Sequence, residues 1–151
     1  MDLQPTVITW ILVGFGIITV MGLLYAQFLL LREPQGQKAR NLIIGKGEDW
    51  RDRSHFRFSY GLAWADWMVW MPLMVSGTIG VSLGQVWGYV VWGAAGIISL
   101  YTGVVLWFAE REYVYPSCGP LAYYTYIWGN FVYWGILAIV YAGLRLSGVL
   151  F

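Results

Sequence analysis

Four long apolar runs, separated by short polar connections and one long one, set the plan of this chain. They cover residues 7–31, 60–83, 86–109 and 121–144. Each reaches the roughly 20 predominantly apolar residues that a membrane-crossing helix needs. The connection over 82–85 is so short that the second and third runs form an antiparallel hairpin. The third connection, 110–120, is punctuated by Pro116, Gly119 and Pro120, and the first, 32–58, is the one long polar stretch. Within it Leu42-Ile43-Ile44 is a short apolar patch suited to lying along a membrane surface, and 50–57 reads as an interfacial segment. The pattern predicts an all-α polytopic membrane protein, a single four-transmembrane-helix antiparallel bundle spanning 1–151. There is no internal repeat and no low-complexity tract.

Spacing at 100° per residue sorts small and polar positions onto one stripe per helix. The second helix aligns Asp66, Leu73, Gly77 and Gly84, flanked by Gly80. The third aligns Trp92, Ser99, Gly103 and Glu110. The first aligns Thr9, Gly16 and Gln27, and the fourth Tyr126, Asn130, Tyr133 and Leu137. Small residues let membrane helices approach closely, and polar side chains bond across the interface, so these stripes are expected to face inward.

Composition supports the membrane class. Hydrophobic residues make up 59% of the 151 positions and charged residues 11%, against about 25% charged in soluble domains; mean hydropathy is +0.60. A net charge of +1 gives no reason to expect nucleic acid as a partner. The basic residues are concentrated instead. Arg32, Lys38, Arg40, Lys46, Arg51, Arg53 and Arg57 lie in the first connection and Arg111 in the third, leaving only Arg145 on the other face. The positive-inside bias therefore predicts cytoplasmic loops at 32–58 and 110–120 and both termini on the non-cytoplasmic side. The N-terminus has no positive region before its apolar run, so that run reads as a retained span and not a cleaved leader. Anionic lipid headgroups are the expected partners of the basic loop.

Asp66 is the carboxylate that stands out, in Trp64-Ala65-Asp66-Trp67 within an apolar run. A charge at the centre of a membrane helix costs roughly 2.5–3.5 kcal/mol on insertion scales, which makes such an acid a functional candidate by default. Counted from Tyr60 it lies about 9 Å into the helix at 1.5 Å per residue. Gln27, Tyr126 and Asn130 fall at similar depth, so one hydrogen-bonded cluster is expected, with Arg111 the basic group closing over that end. Structural glue is the plain alternative for all of them. Most aromatics are expected to anchor the chain at the headgroups, but Trp64, Trp67, Trp70 and Trp92 lie deeper. Pro72 kinks the same helix or shapes a pocket within it.

The candidate ligand-binding set is therefore Asp66, Trp67, Trp70, Trp92, Gln27, Tyr126, Asn130 and Tyr133, with Glu110 and Arg111 at the mouth. The single Cys118 excludes an intrachain disulfide and the single His55 a bis-histidine centre; no metal site and no cofactor is expected. No Walker loop, dinucleotide fingerprint, zinc signature or nucleophile elbow is present, so no catalytic residue is assigned. The Asp66–Pro72 pair resembles the acid-and-proline pattern of the sterol-isomerase and sigma-2-receptor group of four-helix proteins. The first helix lacks an acid, however, and the middle of the third lacks a histidine or carboxylate, so no residue roles carry over. The expected function is binding of an apolar or lipid-like molecule (a lipid or quinone), or service as an accessory subunit of a larger membrane complex. The alternatives are an oligomeric proton- or cation-coupled transporter or channel built on Asp66, and a membrane enzyme using Asp66, Glu110 and a tyrosine.

Overall fold

The computed structural model describes residues 3–109 and 127–149. The described chain is helical throughout, with no strand among the described residues. The helices are α1 (Val7–Arg32), α2 (Gln37–Ile43), α3 (Arg53–Ala65), α4 (Met71–Ser82), α5 (Val86–Ala109) and α6 (Gly129–Leu146), with a π-helical turn, Asp66–Trp70, joining α3 to α4. Three of them, α1, α5 and α6, are long and apolar enough to cross a membrane.

The ends are set by capping chemistry. Thr6 opens α1 with a reciprocal capping box to Thr9. Asp52 opens α3 by accepting from the backbone N–H of Ser54 and His55 at 2.6 and 2.8 Å, satisfying donors that a first turn leaves orphaned. The helix thus starts seven residues before the apolar run: an N-cap, not hydropathy, sets its first turn. At the far end of α4, Gly84 at φ +67° lets the chain reverse. The Gly84 N–H bonds the Val81 carbonyl and the Gln85 N–H the Gly80 carbonyl, a Schellman closure. That closure makes the α4–α5 hairpin.

Between α3 and α4 the helix does not break. Ala65, Asp66, Trp70 and Met71 all keep right-handed helical dihedrals, and the Met71 N–H reaches back five residues to the Asp66 carbonyl. The cause is Pro72. In an unbroken α-helix its ring would strike the carbonyl four residues back, on Met68; one wider turn relieves that collision. The bend expected from Pro72 is therefore taken up just before it, and the widened turn begins at Asp66.

Helix pairing follows the glycines. An added Cβ on Gly88 would collide with the backbone of Gly80 and Val81, and one on Gly135 would fall 2.7 Å from the Gly96 carbonyl oxygen. These contacts place the crossings of α4 with α5 and of α5 with α6, the two most extensive helix pairs. Three side chains then tie the layers together: Trp70 Nε1 donates to the Ala95 carbonyl at 3.1 Å, Ser99 Oγ to the Phe131 carbonyl at 3.0 Å, and Trp134 Nε1 to the Leu12 carbonyl at 3.0 Å. Gly16 makes the last bond feasible, since its Cβ would sit 2.7 Å from that indole nitrogen.

The α6 face departs from expectation. Tyr133 and Leu137 are exposed, and Phe131, Trp134, Gly135, Ala138, Tyr141 and Ala142 face inward. Close approach to Gly96 selects Gly135 and Ala138 for the interface and turns Tyr133 and Leu137 outward. Thr9, Gly16 and Gln27 of the α1 stripe and Trp92, Ser99 and Gly103 of the α5 stripe are buried, as are Asp66, Gly77, Gly80 and Gly84.

The two ends of the bundle differ. At the end away from the basic loop, Tyr141 OH shares hydrogen bonds of 2.7 Å with both Thr6 and Thr9. Buried Arg145 lies over the Tyr89 ring and donates to the Gln4 carbonyl at 2.6 Å. These contacts fasten the start of the chain to α5 and α6. At the other end α2 folds back onto α1 and α3 through Ala39, Leu30 and Ala63. It is held by an Arg40–Asp49 ion pair of 2.8 Å, which keeps the Asp49 carboxyl below the usual carboxylate range.

Candidate functional site

At the basic-loop end α1 does not close fully against α6. A cavity of about 330 Å³ remains, walled by Ile18 through Leu30 on α1, by Leu42 and Ile43 of α2, by Ser59 and Leu62 of α3, and by Leu106, Ile127 and Phe131. The wall of α1 is built from Thr19, Gly22, Leu23, Ala26 and Gln27, the three-and-four spacing of one helix face. Gly22 leaves open space where a Cβ would stand. The walls are mainly apolar, with Thr19, Gln27, Ser59 and Asn130 as polar points.

Gln27 joins this cleft to the acid. Its Nε2 donates to Asp66 Oδ2 at 2.6 Å, and both side chains are buried. Thirty-nine positions separate them, yet the antiparallel return of the chain from α1 into α3 brings them together. Among the described residues no basic side chain pairs with Asp66. The bond joins α1 to the π-helical turn, where helix pairing is otherwise thin.

The remaining predicted residues disperse. Asn130 lines the cleft with Gln27. Trp67 packs its ring against Phe28 with centroids 6.0 Å apart. Trp70 is committed to the Ala95 carbonyl and to Phe131. Trp92 stands edge-on to Trp134 at 5.8 Å and borders a separate apolar groove of about 240 Å³ between α1 and α4. Tyr133 is turned outward. Tyr126, Glu110 and Arg111 lie outside the described residues. The predicted set is thus spread over the core, the outer surface and the cleft.

Thr19 and Ser59 were not singled out from the sequence and line the cleft, as do Leu42 and Ile43 of the short apolar patch expected at the membrane surface. Thr19, Leu23 and Gln27 are spaced four residues apart, a signal present in the chain. Ser59 and the α2 residues carry no such mark, because folding of α2 brings them there. The nearby His55 is buried in the aromatic cluster of Trp50 and Phe56. Burial pushes its imidazole below the ordinary 6.5, Asp52 opposing and Arg51 reinforcing the shift.

No group of three or more His, Cys, Asp or Glu side chains able to hold a metal occurs among the described residues. Comparison with family models, curated proteins and solved structures returned no match.

Proposed function

We propose that this chain is an integral membrane protein that holds an apolar, lipid-like ligand in the cleft between α1, α3 and α6. Its four spans would be α1, the continuous α3–π–α4 rod, α5 and α6. Both termini would lie on the non-cytoplasmic side, with the exposed Arg32, Lys38, Lys46, Arg53 and Arg57 meeting anionic headgroups. The rod supports the fourth span: segments of 13, 5 and 12 residues run on without a break, enough at 1.5 Å per residue for roughly the 30 Å of a bilayer core.

One observation carries the binding reading. The cleft is a mainly apolar cavity of about 330 Å³, at the lower end of the roughly 300–1,000 Å³ of small-molecule sites and larger than the α1–α4 groove of about 240 Å³. The Gly22→Trp variant tests it. Gly22 lines the cleft and has room for a side chain, so the indole should plug the space without disturbing the helices. Protein extracted with its native lipid by styrene–maleic acid polymer should lose a tightly held lipid-like adduct in native mass spectrometry; an undiminished adduct would sink the proposal. A transporter built on Asp66 is the competing reading. Proteoliposome flux abolished by Asp66→Asn but insensitive to Gly22→Trp would favour it.

A further inference from the structure

We infer that α2 is a hinged lid on the cleft, latched by the Arg40–Asp49 ion pair and released by an anionic membrane surface. The inference rests on the binding reading above and adds how that site is opened.

What α2 touches defines the lid. Its last residues, Leu42 and Ile43, form part of the cleft wall. Ala39, fully buried, seats the helix in the cluster of Leu30 and Ala63. Among the described residues α2 packs extensively only against α1. A helix of 7 residues does not hold its own shape in water, where even about 12–15 are marginal. The position of α2 therefore depends on that small seat and on whatever ties its ends.

Both ends are glycine. Gly36 precedes α2, and Gly45 and Gly47 follow it. Gly45 at φ +135° and Gly47 at φ +87° hold backbone conformations that other residues rarely adopt. Gly47 also has open space where a Cβ would stand. A hinge needs only a few such residues to absorb a change in dihedral angles, and the two cleft residues lie on the segment between them.

One tie spans the second hinge. Arg40 Nη1 donates to Asp49 Oδ1 at 2.8 Å, reaching from α2 across Gly45 and Gly47 to the segment that leads into α3. The contact is single and not a two-point fork. Arg40 Nη2 donates to Gln37 of α2 itself, and Nε is buried without a partner. The Asp49 side chain is 73% exposed, and exposed pairs favour the paired state by no more than about fivefold. An anionic leaflet attracts a nearby arginine by about the same factor, and the same field repels Asp49. A headgroup phosphate can also take the guanidinium through two parallel bonds, which Asp49 does not. The balance therefore tips toward the phosphate. Once Arg40 lets go of Asp49, α2 is free to swing about its glycines and lift Leu42 and Ile43 from the wall.

The test uses the full chain with Cys118→Ser and spin labels at Lys38→Cys on α2 and Arg57→Cys on α3, both exposed positions. Dipolar spectroscopy in nanodiscs reads the distance between them. In pure phosphatidylcholine the closed distance should dominate. Added phosphatidylglycerol, or Arg40→Gln or Asp49→Asn in phosphatidylcholine, should raise a longer-distance population about three- to fivefold. The charge swap Arg40→Asp/Asp49→Arg should restore the closed distance in phosphatidylcholine. Unlabelled protein in the same discs then receives hexadecanol carrying a mid-chain diazirine, flashed after increasing delays, with adducts located by peptide mass spectrometry. Labelling of Leu23 in the cleft should speed up by the same factor, and that of Ile17, exposed on the same helix, should not change. Distances that ignore all the perturbations, or Leu23 labelling that ignores the longer-distance population, would overturn the lid. A response to Asp49→Asn with none to phosphatidylglycerol would overturn release by the membrane surface. Absence of Leu23 labelling in every disc would overturn the binding reading itself, with the distances still reporting on the latch.

Discussion

The Gln27–Asp66 bond allows the strongest quantitative prediction, because removing both partners should cost less than the two single removals together. Replacing Gln27 by Leu leaves a buried carboxyl without its only side-chain partner among the described residues. An unsatisfied buried group costs about 1–3 kcal/mol and a charged one more, so we expect Gln27→Leu to destabilise by about 2–3 kcal/mol. Asp66→Leu alone strands the neutral Gln27 amide and should cost about 1 kcal/mol. The double variant Gln27→Leu/Asp66→Leu removes both polar groups, so its cost should fall about 1.5 kcal/mol short of the two single costs together and should be smaller than that of Gln27→Leu alone. Interhelical hydrogen bonds in membrane proteins average only about 0.6 kcal/mol with a maximum near 1.7. A 2.6 Å bond between buried groups belongs at the upper end, so the coupling energy should be about 1.5 kcal/mol. Equilibrium unfolding in mixed micelles against the mole fraction of dodecyl sulfate, followed by tryptophan fluorescence, measures all four corners of the cycle. Additive single effects, with coupling below about 0.3–0.5 kcal/mol, would refute the assignment of this pair as a coupled tie.

Three other consequences follow from the fold. Gly88→Ala places a methyl group against the backbone of Gly80 and Val81 and should cost about 1–3 kcal/mol by overpacking, whereas Gly14→Ala enters open space and should be neutral or stabilising by up to about 1 kcal/mol; the same micelle assay compares them. Trp134→Phe removes the donor to the Leu12 carbonyl and should lower stability by about 1 kcal/mol, and a Gly16→Ala change, which blocks the same bond, should add little on top of it. His55 binds its proton less well folded than unfolded, because burial lowers its pKa below 6.5. Its contribution is therefore fully present above 6.5 and lost as pH falls through that value toward the folded pKa, so stability should drop between about pH 7.5 and pH 5.5, and His55→Gln should flatten that slope.

Much of the helical plan was legible in the sequence, because a spanning helix needs a long apolar run and three of the four predicted runs form helices long and apolar enough to cross a membrane. The inward faces of α1 and α5 were legible for the same reason that Gly16 and Gly103 are glycines: the partner helix comes too near for a side chain. The α6 face was misread because polarity was followed in place of size, and Gly135 against Gly96 decides the packing. The meeting of Gln27 with Asp66 could be anticipated from depth alone, since both stand a few turns or less from the basic loop. The widened turn at Asp66 could not, as a proline announces a disturbance but not the backbone solution to it. Nor could the cleft. It exists because α2 turns back, which puts Leu42 and Ile43 opposite α1, and no periodicity along the chain encodes that return.

The central claim is that something lipid-like lies along α1 between Thr19 and Leu30. A photoreactive phenylalanine analogue placed at Leu23, inside the cleft, and at Ile17, exposed on the same helix but outside this cleft, tests it most directly in cells. After irradiation and exhaustive delipidation, protein substituted at position 23 should carry one covalently attached lipid-like species, and protein substituted at 17 only a mixture reflecting bulk membrane. The same bulk mixture at both positions would contradict the account.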